Sequence, residues 1–291
     1  MDRPQSLERG AAFMVGSALL FAGMGAAVKL ASAALPNTMV VFFRNALGLA
    51  ALIPWIVRLG RHGLGTAHLG EHFVRGLAGL AAMYCFFQAI AQMKLADAVL
   101  LNYSLPLFLP LVEKVWLGEE MPRRFWGPLA LGFAGVLLVL KPGLAVFQPV
   151  ALVGLAAALF GAVAQVGVRR LTRTEPVTRI VLYFGLVGTV VSGVPLAWTW
   201  KTPEPALWVV LVSMGALATV GQLLLTRAYA HAPAAQVGPF VYSAVVFAAL
   251  FDGLLWGRWP DRLTLAGAVL VSTAGALALR RKPARPAIET P

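Results

Sequence analysis

Once the apolar runs of this chain are marked, almost nothing is left over. Runs of about 20 residues, long enough to cross a bilayer core as a helix, cover 10–34, 37–57, 73–93, 96–117, 125–141, 149–170, 177–199, 205–229, 234–256 and 262–280. No remaining stretch can hold a soluble domain. Composition agrees: 59% of the 291 residues are hydrophobic and 12% charged, against about 25% charged in soluble domains, and the mean hydropathy is +0.78. The expected fold is an all-α membrane protein with ten transmembrane helices.

Those ten runs are two sets of five. Tyr103-Ser104, Glu113 and Gly118 recur as Tyr242-Ser243, Asp252 and Gly257 at one offset of 139 residues, shared by Phe21/Phe160, Ala89/Ala228 and Ala91/Ala230. Gly127/Gly267 and Gly135/Gly275 sit at 140, after a short indel. A repeat near half the chain length covers nearly everything. Because each copy has an odd number of spans, the second enters the membrane upside down. The copies are expected at 1–146 and 147–282 as inverted five-helix repeats, followed by a cytoplasmic tail at 283–291. Inverted repeats let one chain alternate between two access states, with a substrate site between the halves. Transport is therefore expected from topology alone, against the simpler reading of a pseudo-symmetric scaffold.

Net charge is +12 and the isoelectric point near 10.7, but the basic residues gather at span ends rather than on one nucleic-acid-binding face. One side carries Arg3, Arg9, Arg58, Arg61, Arg75, Lys114, Arg123, Arg124, Arg169, Arg170, Arg173, Arg179 and the Arg280–Arg285 cluster. The other carries Lys94, Lys141, Lys201, Arg258 and Arg262. By the positive-inside rule both termini are cytoplasmic, consistent with an even number of spans in a cell (inner) membrane. Arg3, Arg9 and Ala31-Ser32-Ala33 faintly imitate a cleaved signal, but the run between them is too long and contains Lys29. Cys85 is alone, which excludes a disulfide framework. His62, His68 and His72 share a loop with Glu71 and read as solvated polar residues, so no metal and no cofactor is expected.

Within the spans, two kinds of residue stand out. Pro106 and Pro110 in the fourth, and Pro233 and Pro239 in the ninth, free carbonyls that must be satisfied by neighbours or cavity water. Both helices are expected to bend, whether towards an interior pathway or only for packing. Gly127, Gly132 and Gly135, with Gly267, Ala268, Ser272 and Gly275, form small-residue faces for close helix packing, within the chain or in a homodimer.

Phe43-Arg44-Asn45, Phe86-Phe87-Gln88-Ala89-Ile90, Leu95-Ala96-Asp97-Ala98 and Leu117-Gly118-Glu119-Glu120 before Gly127 together resemble the EamA-type transporters of the drug/metabolite transporter (DMT) superfamily. The second half departs from that pattern, with Gly257-Arg258 in place of Gly-Glu and Tyr183 opposite Arg44. The resemblance implies a central cavity formed by the first four helices of each repeat, with helices five and ten outside. It implies movement of small metabolites, often amino acids, and leaves the substrate open.

Intramembrane ionisable groups are costly and hence functional candidates unless they reach an interface. The topology sorts the polar residues into Lys29, Arg44, Gln88, Asp97 and Tyr103 in the outer half, and Gln165, Gln222, Arg227, Gln236 and Tyr242 in the inner half. Arg44 lies about 10 Å into its span by helix rise, too deep for easy snorkelling, whereas Lys29 and Arg227 can be read either way. Glu113 and Asp252 occupy equivalent positions and fit a helix-end or ion-pair role better than ion coupling. The candidate substrate-binding set is Arg44, Lys29, Tyr84, Gln88, Asn102, Tyr103, Gln165, Gln222, Arg227 and Tyr242. Phe21, Tyr84, Phe86, Phe87 and Phe160 offer apolar walls, or simply pack.

No acid sits in the first span, which argues against an exporter of hydrophobic cations. Arg44 and Lys29 suit a carboxylate instead, because a guanidinium fork matches that anion. The expectation is a transporter, exporting by preference, of a small carboxylate-bearing metabolite, with amino acids the best single class. A carrier of lipophilic drugs, nucleosides, a vitamin or S-adenosylmethionine is the alternative. An intramembrane lipid enzyme is remote, since no paired acids, HExxH or Ser/His/Asp set is present. Expected partners are the small-molecule substrate and the lipid bilayer, with no nucleic acid.

Overall fold

The computed structural model describes residues 7–59, 65–117, 126–140, 149–171, 174–231 and 238–279. The boundary between the expected repeats, the tail at 283–291, His62, Gly118-Glu119-Glu120, Pro233 and Gln236 lie outside the described residues. Among the described residues the secondary structure is helical throughout: α1 (Leu7–Ser32), α2 (Asn37–Leu59), α3 (Leu69–Gln92), α4 (Leu95–Asn102), α5 (Leu105–Leu117), α6 (Trp126–Leu140), α7 (Val150–Leu171), α8 (Val177–Gly193), α9 (Leu196–Thr199), α10 (Pro205–His231), a 3-10 turn (Gly238–Tyr242), α11 (Ser243–Trp256) and α12 (Arg262–Leu279). Glu8–Ser32, Leu69–Gln92, Val150–Val168 and Pro205–Leu225 are each long and apolar enough to cross a membrane, and shorter apolar helices fill the remaining runs. The chain is a multi-pass membrane protein whose helices follow the ten runs, with the fourth, seventh and ninth runs each divided.

Packing has the signature of interleaved inverted repeats. Helix α1 packs along α10, and its counterpart α7 packs along α3. Helices α2 and α8, and α6 and α12, pair with their own counterparts. Each repeat thus lends its first helix to the other, and the core runs through both: Val28, Met39, Phe87, Leu100, Leu211 and Met214 are all buried. On the α1/α10 seam the Ser17 hydroxyl donates to the Gly221 carbonyl at 2.8 Å. At Gly135 the glycine face closes within the chain. A Cβ on Gly135 would stand 2.9 Å from both the Gly267 carbonyl oxygen and the Leu270 Cβ, so α6 and α12 meet backbone to backbone.

The divided helices explain why Tyr-Ser recurs. Pro106 has no N–H to offer the Asn102 carbonyl, so the α4 ladder stops there and α5 restarts at Leu105, while Pro110 is carried inside α5. At this break the Ser104 hydroxyl donates to the Leu101 carbonyl at 2.6 Å. At the second break, between the 3-10 turn and α11, the Ser243 hydroxyl donates to the Phe240 carbonyl at 2.7 Å. Both serines turn their hydroxyl onto the carbonyl three residues back, so in both repeats the side chain's own polar group is satisfied within the break.

Candidate functional site

Tyr103 and Tyr242, expected in the outer and inner halves of the membrane, meet with ring centroids 6.2 Å apart and planes inclined at 58°. The contact brings both breaks together. Tyr242 is buried and its hydroxyl has no hydrogen-bond partner. Asn102, the last residue of α4, is half-buried beside this junction.

Lys29 neither snorkels nor stands free for a ligand. Its Nζ donates to Asp252 Oδ1 and to the Met93 carbonyl, each at 2.9 Å, and lies 4.7 Å from the centroid of the Trp256 ring. The side chains are 7% and 0% exposed, so the pair is dry. The second Asp252 oxygen accepts the Ala96 N–H at 2.8 Å, capping α4 from another helix. Behind it, the Gly257 and Arg258 N–H groups close on the Gly253 and Asp252 carbonyls, each at 3.1 Å. Gly257 has φ 64°, the left-handed end of a Schellman cap that fixes this end of α11. Asp252 is thus an ion-pair residue tying repeat two to repeat one, and Lys29 leaves the set of available cations.

Arg44 differs. It is partly buried on α2, and its guanidinium makes one long hydrogen bond, 3.4 Å from Nη1 to Asn45 Oδ1. Asn45 is held from both sides, donating to the Val41 carbonyl at 2.9 Å and to Met83 Sδ at 3.4 Å. Its side chain fills the notch at Gly188 of α8, where a Cβ would approach its Oδ1 to 2.8 Å. On the other side of Arg44, Phe43 packs edge-on to Trp208 at 5.2 Å. Arg44 is therefore fixed by its neighbours with most of its donors uncommitted.

The remaining candidates separate. The Asn37 amide donates to the Tyr84 carbonyl at 3.0 Å and to Gln88 Oε1 at 3.3 Å, which engages Gln88 between α2 and α3. Tyr84 keeps a buried hydroxyl without a partner. Gln165, Gln222 and Arg227 are exposed, outside the buried core, and the Arg227 carbonyl sits 2.9 Å from His231 Nδ1. A crevice bordered by Leu30, Leu35, Lys201, Glu204 and Leu207 opens near the α1–α2 turn, and none of the candidates lines it.

Sequence reasoning placed His72 and Arg75 at a solvated cytoplasmic edge; the structure corrects this. Helix α3 begins at Leu69, so both residues lie in its first two turns. His72 is 1% exposed and stacks on Tyr183 at 4.5 Å. The Arg75 Cζ lies 3.8 Å from the centroid of the Phe184 ring. The helical spacing of His68 and His72 was the available signal for an earlier start. At the same end, Glu175 accepts from Arg179 at 2.6 Å and from Thr66. Burial there raises its carboxyl, but the hydrogen bonds and charge of its partners outweigh burial and hold it below the usual carboxylate range. Among the described residues no group of three His, Cys, Asp or Glu side chains is placed to hold a metal.

The EamA-like transporter family matches residues 8–141 and again 148–280. The pseudopaline exporter CntI of Pseudomonas aeruginosa (strain UCBPP-PA14) is 37% identical over 271 residues, 92% of this chain and 95% of that protein. The riboflavin transporter of Vibrio cholerae is 27% identical over 90% of each chain. The S-adenosylmethionine uptake transporter of Rickettsia bellii is 29% identical over 81% of each. A solved crystal structure superposes with a TM-score of 0.64 at 20% identity, covering 94% of this chain and 97% of the other, and supports the fold alone.

Proposed function

This chain belongs to the EamA-like transporter family, and on that premise we propose that it moves a small carboxylate-bearing metabolite, amino acids being the expected class, by alternating access between its repeats. It acts as an exporter in the cell (inner) membrane, with both termini cytoplasmic, and performs no chemistry on its cargo. One observation carries the substrate class. Arg44 is the candidate cation whose guanidinium has only a long hydrogen bond to Asn45, whereas Lys29 is consumed by Asp252. A partly buried guanidinium with open donors favours a ligand that brings the missing charge.

The test is flux in liposomes containing the purified protein, across a panel of amino and other carboxylic acids, in both directions and with or without a pH gradient. Arg44→Ala abolishes flux while folded yield holds. Undiminished flux in that variant makes Arg44 a structural anchor and removes the support for a carboxylate. A second reading, a vitamin or S-adenosylmethionine carrier, draws on the relatives named for riboflavin and S-adenosylmethionine. Including both compounds in the panel separates the two.

A further inference from the structure

Arg75 was counted among the charges that orient the chain, yet its surroundings are those of an interior residue. Its Nε and Nη1 are sealed from solvent and have no hydrogen-bond partner. Its stem packs into the notch at Gly167 of α7, where a Cβ would meet the Arg75 Cβ at 3.1 Å, and its head lies on Phe184 of α8. One helical turn along α8, Gly188 receives Asn45, on which Arg44 rests. Arg75, Phe184, Gly188, Asn45 and Arg44 form a continuous line across α3, α8 and α2. The two guanidiniums lie within Coulombic reach of each other.

Like charges repel, and the sealed Arg75 Nε and Nη1 are screened less than exposed ones would be. The acids at this end are engaged with other partners: Glu71, one turn before Arg75, takes Arg170 at 3.1 Å, and Glu175 takes Arg179 at 2.6 Å. Among the described residues neither Arg44 nor Arg75 has a carboxylate partner. The aromatic face offsets part of the cost for Arg75, but it leaves the planar donors of both side chains unanswered.

We propose that Arg44 and Arg75, linked through Phe184, Gly188 and Asn45, form one two-cation site that takes a cargo carrying two carboxylates, one for each guanidinium. The proposal rests on the reading of Arg44 as a cargo residue and adds a second anionic group to that cargo. It also gives Arg75 a binding role rather than a topological one.

The experiment compares acids with their own monoamides on the full-length protein in detergent: succinate with succinamate, glutarate with glutaramate, L-glutamate with L-glutamine. Wild type binds at least one acid about tenfold or more tighter than its monoamide. Arg75→Gln erases that preference by weakening the acid far more than the monoamide, whereas Arg44→Gln weakens both. If the monoamides bind through Arg44 and the acids bind no tighter, the two-cation site falls while the carboxylate reading stands. If no ligand depends on Arg44, both fall, and silence of every dicarboxylate also overturns the site. A ligand-free arm guards against a merely structural arginine: Arg75→Gln raises the melting temperature by relieving an unanswered charge. A drop there makes Arg75 a packing residue and ends the proposal.

Discussion

Tyr103 and Tyr242, 139 positions apart in the sequence, touch ring to ring at 6.2 Å. Each stands at the interruption of its helix, and each is followed by a serine whose hydroxyl donates to the carbonyl three residues back. The pair therefore marks where the two repeats cross, and both interruptions face the same partner across that crossing.

The Tyr242 hydroxyl is buried without a partner, so its ring and its oxygen work in opposite directions. Tyr242→Phe removes an unsatisfied donor and is expected to leave stability unchanged or raise it by up to about 1–3 kcal/mol. Tyr242→Ala opens a cavity beside Tyr103 and costs about 3–5 kcal/mol. Thermal midpoints of the two variants in detergent check the order, and a destabilised Phe variant would mean that the hydroxyl has a partner after all.

Lys29 and Asp252 predict a strongly non-additive pair. Lys29→Met strands a buried carboxylate and costs about 3–5 kcal/mol. Lys29→Met combined with Asp252→Leu recovers part of this, leaving the orphaned Ala96 N–H and Met93 carbonyl at about 1–3 kcal/mol each. A double-mutant cycle on the unfolding midpoint measures the coupling, and additive losses would count against a dry ion pair.

Gly135 and Gly127 should respond oppositely to one added methyl. At Gly135 it meets the Gly267 carbonyl and the Leu270 Cβ, both at 2.9 Å, atoms that cannot swing away, so Gly135→Ala is expected to cost about 1–3 kcal/mol. At Gly127 nothing lies within 4 Å, and Gly127→Ala should stay within about 0.5 kcal/mol. Melting curves of both variants check the contrast, and equal shifts would count against a tight seam at Gly135.

Glu175 gives the chain an acid-sensitive corner. Burial opposes its ionisation, but Thr66 and Arg179 more than compensate, so its carboxyl titrates below the ordinary value of 4.5. A depressed carboxyl contributes stability that is complete above its unfolded-state value and is lost as pH falls through the folded one. Midpoints of wild type are thus expected to fall from about pH 5 downward. Glu175→Gln should lower stability at neutral pH and flatten that acid decline, and an unchanged slope would assign the decline to other groups.

Periodicity and hydropathy made the helices and the doubling legible, because each depends on local composition. Ends and depths were less so. The start of α3 was hidden because Glu71 and His72 read as solvated, although one pairs with Arg170 and the other stacks on Tyr183. Lys29 looked available because its acid lies 223 residues away in sequence, beyond the reach of spacing arguments. Arg75 was missed for a related reason: only tertiary packing on Phe184 separates it from the arginines that face the headgroups. The expectation for Arg44 rests on helix rise alone, and the structure adds that its guanidinium makes one long hydrogen bond.

The seam between α6 and α12 carries a mechanical consequence. Where Gly135 rests on the Gly267 carbonyl and against the Leu270 Cβ, both at 2.9 Å, the contact is chiefly with atoms fixed by the backbone, which no rotamer change can move. Sliding would drive main chain into main chain, and only a small pivot leaves the contact whole. The last helices of the two repeats are thus joined as an axle is, and alternating access that keeps this contact whole has to turn about it.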